Sequence, residues 1–135
     1  MSFEINTVAD APSAWVDLKH PVTGELLGAS FELAGPEHPK RKALEFARQR
    51  KMRAALQKAG KMAFDDPEEE AQTITDNLAA LTLDWKGVTD KGVDVPYSAA
   101  AAAKLYTTTG LGWLRDQLLR AVNERDRFIT SSAAS

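Results

Sequence analysis

Trp15-Val16-Asp17-Leu18-Lys19, then Pro21-Val22-Thr23-Gly24, then Leu26 through Leu33: the reading of this stretch decides the fold class. Trp15, Asp17 and Lys19 alternate with Val16 and Leu18, the period of two that sends successive side chains to opposite faces of a strand. Pro21 to Gly24 has the chemistry of a turn, with Gly24 free to take a positive φ. Beyond it, Phe31 and Leu33 alternate with Ser30 and Glu32. The spacing predicts a β-hairpin over 14–34. A lone hairpin is marginal in water, so its apolar face needs a second layer, and the rest of the chain offers helices.

Working outward, Gly35-Pro36-Glu37-His38-Pro39 is a break, and Pro39 suits the first turn of a helix. Leu44, Ala47, Ala55, Leu56 and Ala59 fall close to one helical stripe, with Arg48, Arg50, Lys51 and Arg53 mostly off it and Gly60 as the stop. Asp66-Pro67-Glu68-Glu69-Glu70 then combines an Asp cap, a first-position Pro and acids that complement unpaired N–H groups and the positive dipole end. Ile74, Leu78, Leu81 and Trp85 continue as the clearest amphipathic stripe, ended by Gly87. Val88 to Val95 reads as a loop with room for a short strand. Ser98 is an N-cap for the alanine run 99–103, Gly110 and Gly112 break the helix, and Leu111, Leu114, Leu118, Val122 and Ile129 form a closing stripe.

The expectation is one α+β, helix-dominant domain over 1–135. It has a loose leader at 1–12, the hairpin at 14–34, three to four helices within a helical region at 38–129, and a frayed tail at 130–135.

A chain of 135 residues has the size of one domain and buries roughly two-thirds of its unfolded surface. With ten aromatic residues and much of its apolar content in alanine, its core is expected to be thin. The absence of cysteine excludes disulfides, thiolate nucleophiles and cysteine-based zinc sites. The N-terminus shows no secretory signal, and no run approaches the ~20 apolar residues of a membrane span. A soluble, cytoplasmic protein is expected. The net charge of −2 hides a segregation: residues 37–61 carry nine Lys or Arg against two Glu, and residues 65–70 carry five acids and no base.

Candidate chemistry is sparse. His20 and His38 each lie beside a proline in a turn and share no helix face, so no metal site is expected. The acids at 65–70 are explained by helix-start electrostatics. No Gly-x-Ser-x-Gly context surrounds the serines, and Gly110-Leu111-Gly112 is too short to cradle a phosphate. Neither catalysis nor a cofactor is expected. The basic segment has three readings: a solvated helix face, a dock for an acidic protein partner, or a phosphate-binding surface with steep salt dependence.

The order of residues in the C-terminal third carries a resemblance. Asp84-Trp85-Lys86-Gly87-Val88 is followed by Val95-Pro96-Tyr97-Ser98 and Ala102-Ala103-Lys104-Leu105-Tyr106. Trp113-Leu114-Arg115-Asp116-Gln117 and Asn123-Glu124-Arg125-Asp126-Arg127-Phe128 complete the series. Together with Trp15-Val16-Asp17-Leu18, Pro21-Val22-Thr23-Gly24-Glu25 and Gly35-Pro36-Glu37-His38-Pro39, this order resembles the tail assembly chaperones of long-tailed bacteriophages and prophages. The likeness spans scattered positions between residues 14 and 129.

The resemblance implies a non-enzymatic role. The protein would bind the hydrophobic tape-measure protein, keep it soluble, help tail-tube subunits assemble around it, and be absent from the finished virion. Tape-measure and tail-tube proteins are the implied partners, with a homo-oligomer left open and no small-molecule substrate or membrane. The candidate partner-binding residues are the aromatics Trp85, Tyr106, Trp113 and Phe128 and the cations Arg48, Arg50 and Arg53. The alternatives are a nucleic-acid-binding or packaging accessory using the basic helix 40–61, and a structural tail or connector protein.

Overall fold

The computed structural model describes residue 5, residues 8–59 and residues 67–131. In chain order the strands and helices are β1 (Val8–Asp10), β2 (Ser13–Lys19), β3 (Leu26–Ala34), α1 (Pro39–Ala59), α2 (Pro67–Leu81), β4 (Thr82–Lys86), β5 (Thr89–Asp90), β6 (Val93–Asp94), α3 (Ala99–Thr107) and α4 (Gly112–Val122). A 3-10 turn (Arg125–Phe128) leads into β7 (Ile129–Ser131). The class is mixed α+β, with antiparallel strands preceding the helices.

β2 and β3 form the hairpin expected from the alternation, and β4 adds a third strand so that β3 is central. The register places Val16 opposite Phe31 and Phe31 opposite Trp85, one apolar row across three strands. Phe31 and Leu33 are fully buried, and Leu18 lies beside them. The other face carries Trp15, Glu32 and Asp84 in one row and Asp17, Ser30 and Lys86 in the next. There Ser30 donates to Asp17, Ser13 donates to Glu32, and the Lys86 ammonium sits 4.2 Å from the Trp15 ring centroid.

The apolar face is covered by α2, α3 and α4, whose Leu78, Leu81, Ala102, Tyr106, Leu114, Leu118 and Val122 complete the core with Phe128. α2 and α3 meet directly, and Ala102, in the alanine run, is wholly buried, as small side chains allow. Ser98 caps α3 by accepting from the Ala101 N–H, as its position before the alanines predicts.

Several expectations are corrected. Trp85 does not continue α2. The helix stops at Leu81, and Thr82-Leu83-Asp84-Trp85-Lys86 is a strand paired antiparallel with β3, with a register shift between Glu32 and Leu33. Thr82 bonds Leu78 and Tyr106 through its hydroxyl and accepts from Tyr97 through its carbonyl. On α2 the buried stripe is Thr75, Leu78 and Leu81, leaving Ile74 exposed. Residues 8–10 of the supposed leader and 130–131 of the supposed tail are strands, β1 and β7, paired antiparallel and tied by an Arg125–Asp10 ion pair at 2.8 Å. Ile129 therefore belongs to a strand rather than to the closing helical stripe. The helical region 38–129 also contains the small β5–β6 hairpin, turned by Lys91 and Gly92 at positive φ. Gly60 and the acids Asp65 and Asp66 lie outside the described residues.

Candidate functional site

The least enclosed of the helices is α1. Its 21 residues span about 32 Å at the helical rise of about 1.5 Å per residue, and none of its described side chains is buried. α2, α3 and α4 supply three, two and four buried residues respectively. α1 is fixed at its root. The Arg41 guanidinium donates to the Val122 carbonyl at 2.8 Å and to the Ala34 carbonyl at 3.4 Å, joining the helix to the ends of α4 and β3. A cation at Val122 also suits the negative end of α4. Burial lowers the Arg41 pKa somewhat, without threatening a charge that guanidinium always holds. Leu44 packs against the core, and Lys42 pairs with Glu37 at 2.8 Å, which holds the Glu37 carboxyl below its ordinary range.

Beyond this root the helix presents apolar side chains to solvent: Phe46 is 54% exposed, Met52 42% and Leu56 49%. Gln49, Met52, Arg53 and Leu56 line an open hollow of about 270 Å³, and Pro36, Arg41, Lys42, Glu45 and Phe46 line another of about 250 Å³. The positions 42, 45, 49, 52 and 56 repeat at three and four, with Phe46 and Arg53 beside them, so the hollows lie along one stripe. Around the stripe α1 carries eight Lys or Arg and a single Glu. Arg48 pairs with Glu45 at 3.1 Å. Arg50, Lys51 and Arg53 form no ion pair among the described residues.

The sequence-predicted site residues separate into two groups. Arg48, Arg50 and Arg53 are exposed on α1. The aromatics do not join them. Trp85, Tyr106 and Phe128 are core, at 6%, 1% and 0% exposure, and cannot offer a surface to a partner. Trp85 stacks edge-on with Phe31 and Tyr97 and donates its indole N–H to the Val95 carbonyl. The Tyr106 phenol meets the Thr82 hydroxyl at 2.7 Å. Trp113 is half-buried against the core.

Phe46 and Met52 were missed by sequence reasoning, because their intervals of six and four to Leu56 make no clear helical repeat and the Leu44, Ala47, Ala55, Leu56 and Ala59 stripe read as the apolar face. Of that stripe, Ala47 and Leu56 face water.

Both histidines are used locally. His20 Nδ1 accepts from the Val22 and Thr23 N–H groups, and His38 Nδ1 from that of Lys40. No group of three or more metal-ligating side chains converges among the described residues. Among those residues, no helix is long and apolar enough to cross a membrane.

The model of the YdaY prophage protein family matches residues 40–134, from the start of α1 to the C-terminal tail. The chain belongs to that family. No curated protein and no solved structure matches it. The family region takes in all four helices and β4 but leaves out β2 and β3, the strands on which α2, α3 and α4 pack.

Proposed function

We propose that this prophage protein is a tail assembly chaperone. It binds the tape-measure protein in the host cytoplasm, keeps it soluble while tail-tube subunits assemble, performs no catalysis and is absent from the finished virion. The observation that carries this reading is α1, a basic helix rooted on a closed core and exposing Phe46, Met52 and Leu56 along one stripe. Exposed apolar residues clustered on one element mark a surface for another chain, and a helix that presents them along one side suits reversible capture of helical segments. The resemblance across residues 84–128 supports the same role. A purely phosphate-binding helix would gain its affinity from Lys and Arg and would leave the three apolar residues without a purpose.

Co-expression with the tape-measure protein of the same prophage tests the proposal. The tape-measure protein is expected to move into the soluble fraction and to co-purify with this chain. Mass spectrometry of purified particles should then lack the chain. A tape-measure protein that stays insoluble, with no complex recovered, would rule the reading out. Recovery of the chain in stoichiometric amounts from virions would instead make it a structural tail component.

A further inference from the structure

Resting on that reading, we infer that the Phe46–Leu56 stripe of α1 selects an amphipathic helix whose apolar seam is flanked by acidic side chains. The stripe from Lys42 to Leu56 is about 21 Å long at the helical rise, enough for two heptads of a partner helix laid along it. At about 3.6 residues per turn, Arg48 and Arg50 fall on opposite flanks of the stripe, Lys42 lies within it, and Arg53 lies at its edge on the Arg50 side. Charge complementarity then names the partner. Lys42 and Arg48 already have Glu37 and Glu45, whereas Arg50 and Arg53 have no ion-pair partner among the described residues. A helix with Lys or Arg on its flanks would meet uncompensated like charge at both positions. A helix with Glu or Asp there would bury its seam on Phe46, Met52 and Leu56 and pair with these two guanidinium groups. The apolar residues give affinity and the arginines give selection among helices.

The test uses the full chain and three synthetic peptides: an amphipathic helix with glutamate flanks, the same seam with lysine flanks, and a polyglutamate. Fluorescence anisotropy should show the glutamate-flanked helix binding at least about tenfold tighter than the lysine-flanked one. It should also bind tighter than polyglutamate. Arg50→Glu/Arg53→Glu should invert the preference between the two amphipathic peptides, a gain of binding that a misfolded variant could not give. Equal binding of the two amphipathic peptides, or polyglutamate binding as tightly as the helix, would overturn the inference. So would sedimentation showing that the wild-type chain covers the stripe with a second copy, released by Phe46→Ser/Leu56→Ser. Tape-measure solubilisation left intact by Arg50→Glu/Arg53→Glu would also overturn the charge selection while leaving the chaperone reading standing. Failure of the wild-type chain to solubilise that protein would remove the chaperone reading by itself.

Discussion

At Gly87 a single missing Cβ decides whether β3 and β4 can meet. The residue has φ +72, and a Cβ there would lie 2.1 Å from the Gly28 carbonyl oxygen. Gly24 has nearly the same φ, +75, but open space around it. The pair separates backbone strain from collision. Gly24→Ala should lower stability by about 1 kcal/mol, the strain of a left-handed residue. Gly87→Ala should lose on the order of 3 kcal/mol, because backbone must move as well. Urea midpoints measured at unchanged slope check both. Tyr106 makes a second residue-scale prediction. Thr82 Oγ donates to the Leu78 carbonyl, so the Tyr106 phenol is the donor between them. Burial pushes the phenol from 10.0 up to about 12. Below pH 10 both states hold the proton and the stability is fully present. Between pH 10 and 12 the unfolded chain ionises first, and up to about 3 kcal/mol is lost. Burial raises Tyr97 in the same direction, so the comparison must be with Tyr106→Phe. That variant should lose about 1 kcal/mol at neutral pH for the missing hydrogen bond and show a shallower fall above pH 10 in pH-dependent urea melts.

Among the elements, β2 is one of the two edges of the three-stranded sheet, and a side chain of α4 covers its Lys19 end. Gln117 accepts from the Lys19 N–H at 2.9 Å and donates to the Lys19 carbonyl at 2.7 Å, standing in for a fourth strand. Gln117→Leu preserves helix propensity and removes both bonds. It should cost about 1 to 2 kcal/mol and leave an edge open to pairing with other chains. Thermal melts and light scattering at raised concentration would show the two effects together. This role explains why a glutamine follows Trp113 by four residues, which spacing alone could not. The elements legible in advance were those governed by local rules: the period-two hairpin, Pro67 with its following acids, and Ser98 before the alanines. β4 was missed because Ile74, Leu78, Leu81 and Trp85 continue a helical period across the boundary. The helix is ended there by Thr82, whose carbonyl and strand pairing are satisfied by residues distant in sequence and whose hydroxyl, while donating back to Leu78, also meets Tyr106. β1 and β7 pair the two ends of the described chain, a contact no local window reveals.

For the whole molecule, folding and binding reside in different places. The core closes without the α1 stripe, since Phe46, Met52 and Leu56 remain about half exposed while the sheet and the other three helices bury their own apolar rows. The same division explains which site residues could be read from sequence. Arg48, Arg50 and Arg53 are exposed because charge keeps them in water wherever the helix packs. Trp85, Tyr106 and Phe128 suit a core by their spacing and a surface only by the resemblance, and the three-strand register and the packing of α3 and α4 bury them. The last prediction follows from the separation. Phe46→Ser/Met52→Ser/Leu56→Ser should shift stability only slightly, within about 0.5 kcal/mol per site, as substitutions of exposed residues do. The same variant should no longer solubilise a co-expressed tape-measure protein. Leu118→Ala, in the fully buried core, should do the reverse in kind, losing about 2 to 5 kcal/mol while the fraction that stays folded still binds. Chemical denaturation and co-purification on the two variants read out stability and capture separately. A triple variant that unfolds would mean α1 is part of the core. One that folds and still captures its partner would mean the binding surface lies elsewhere on the molecule.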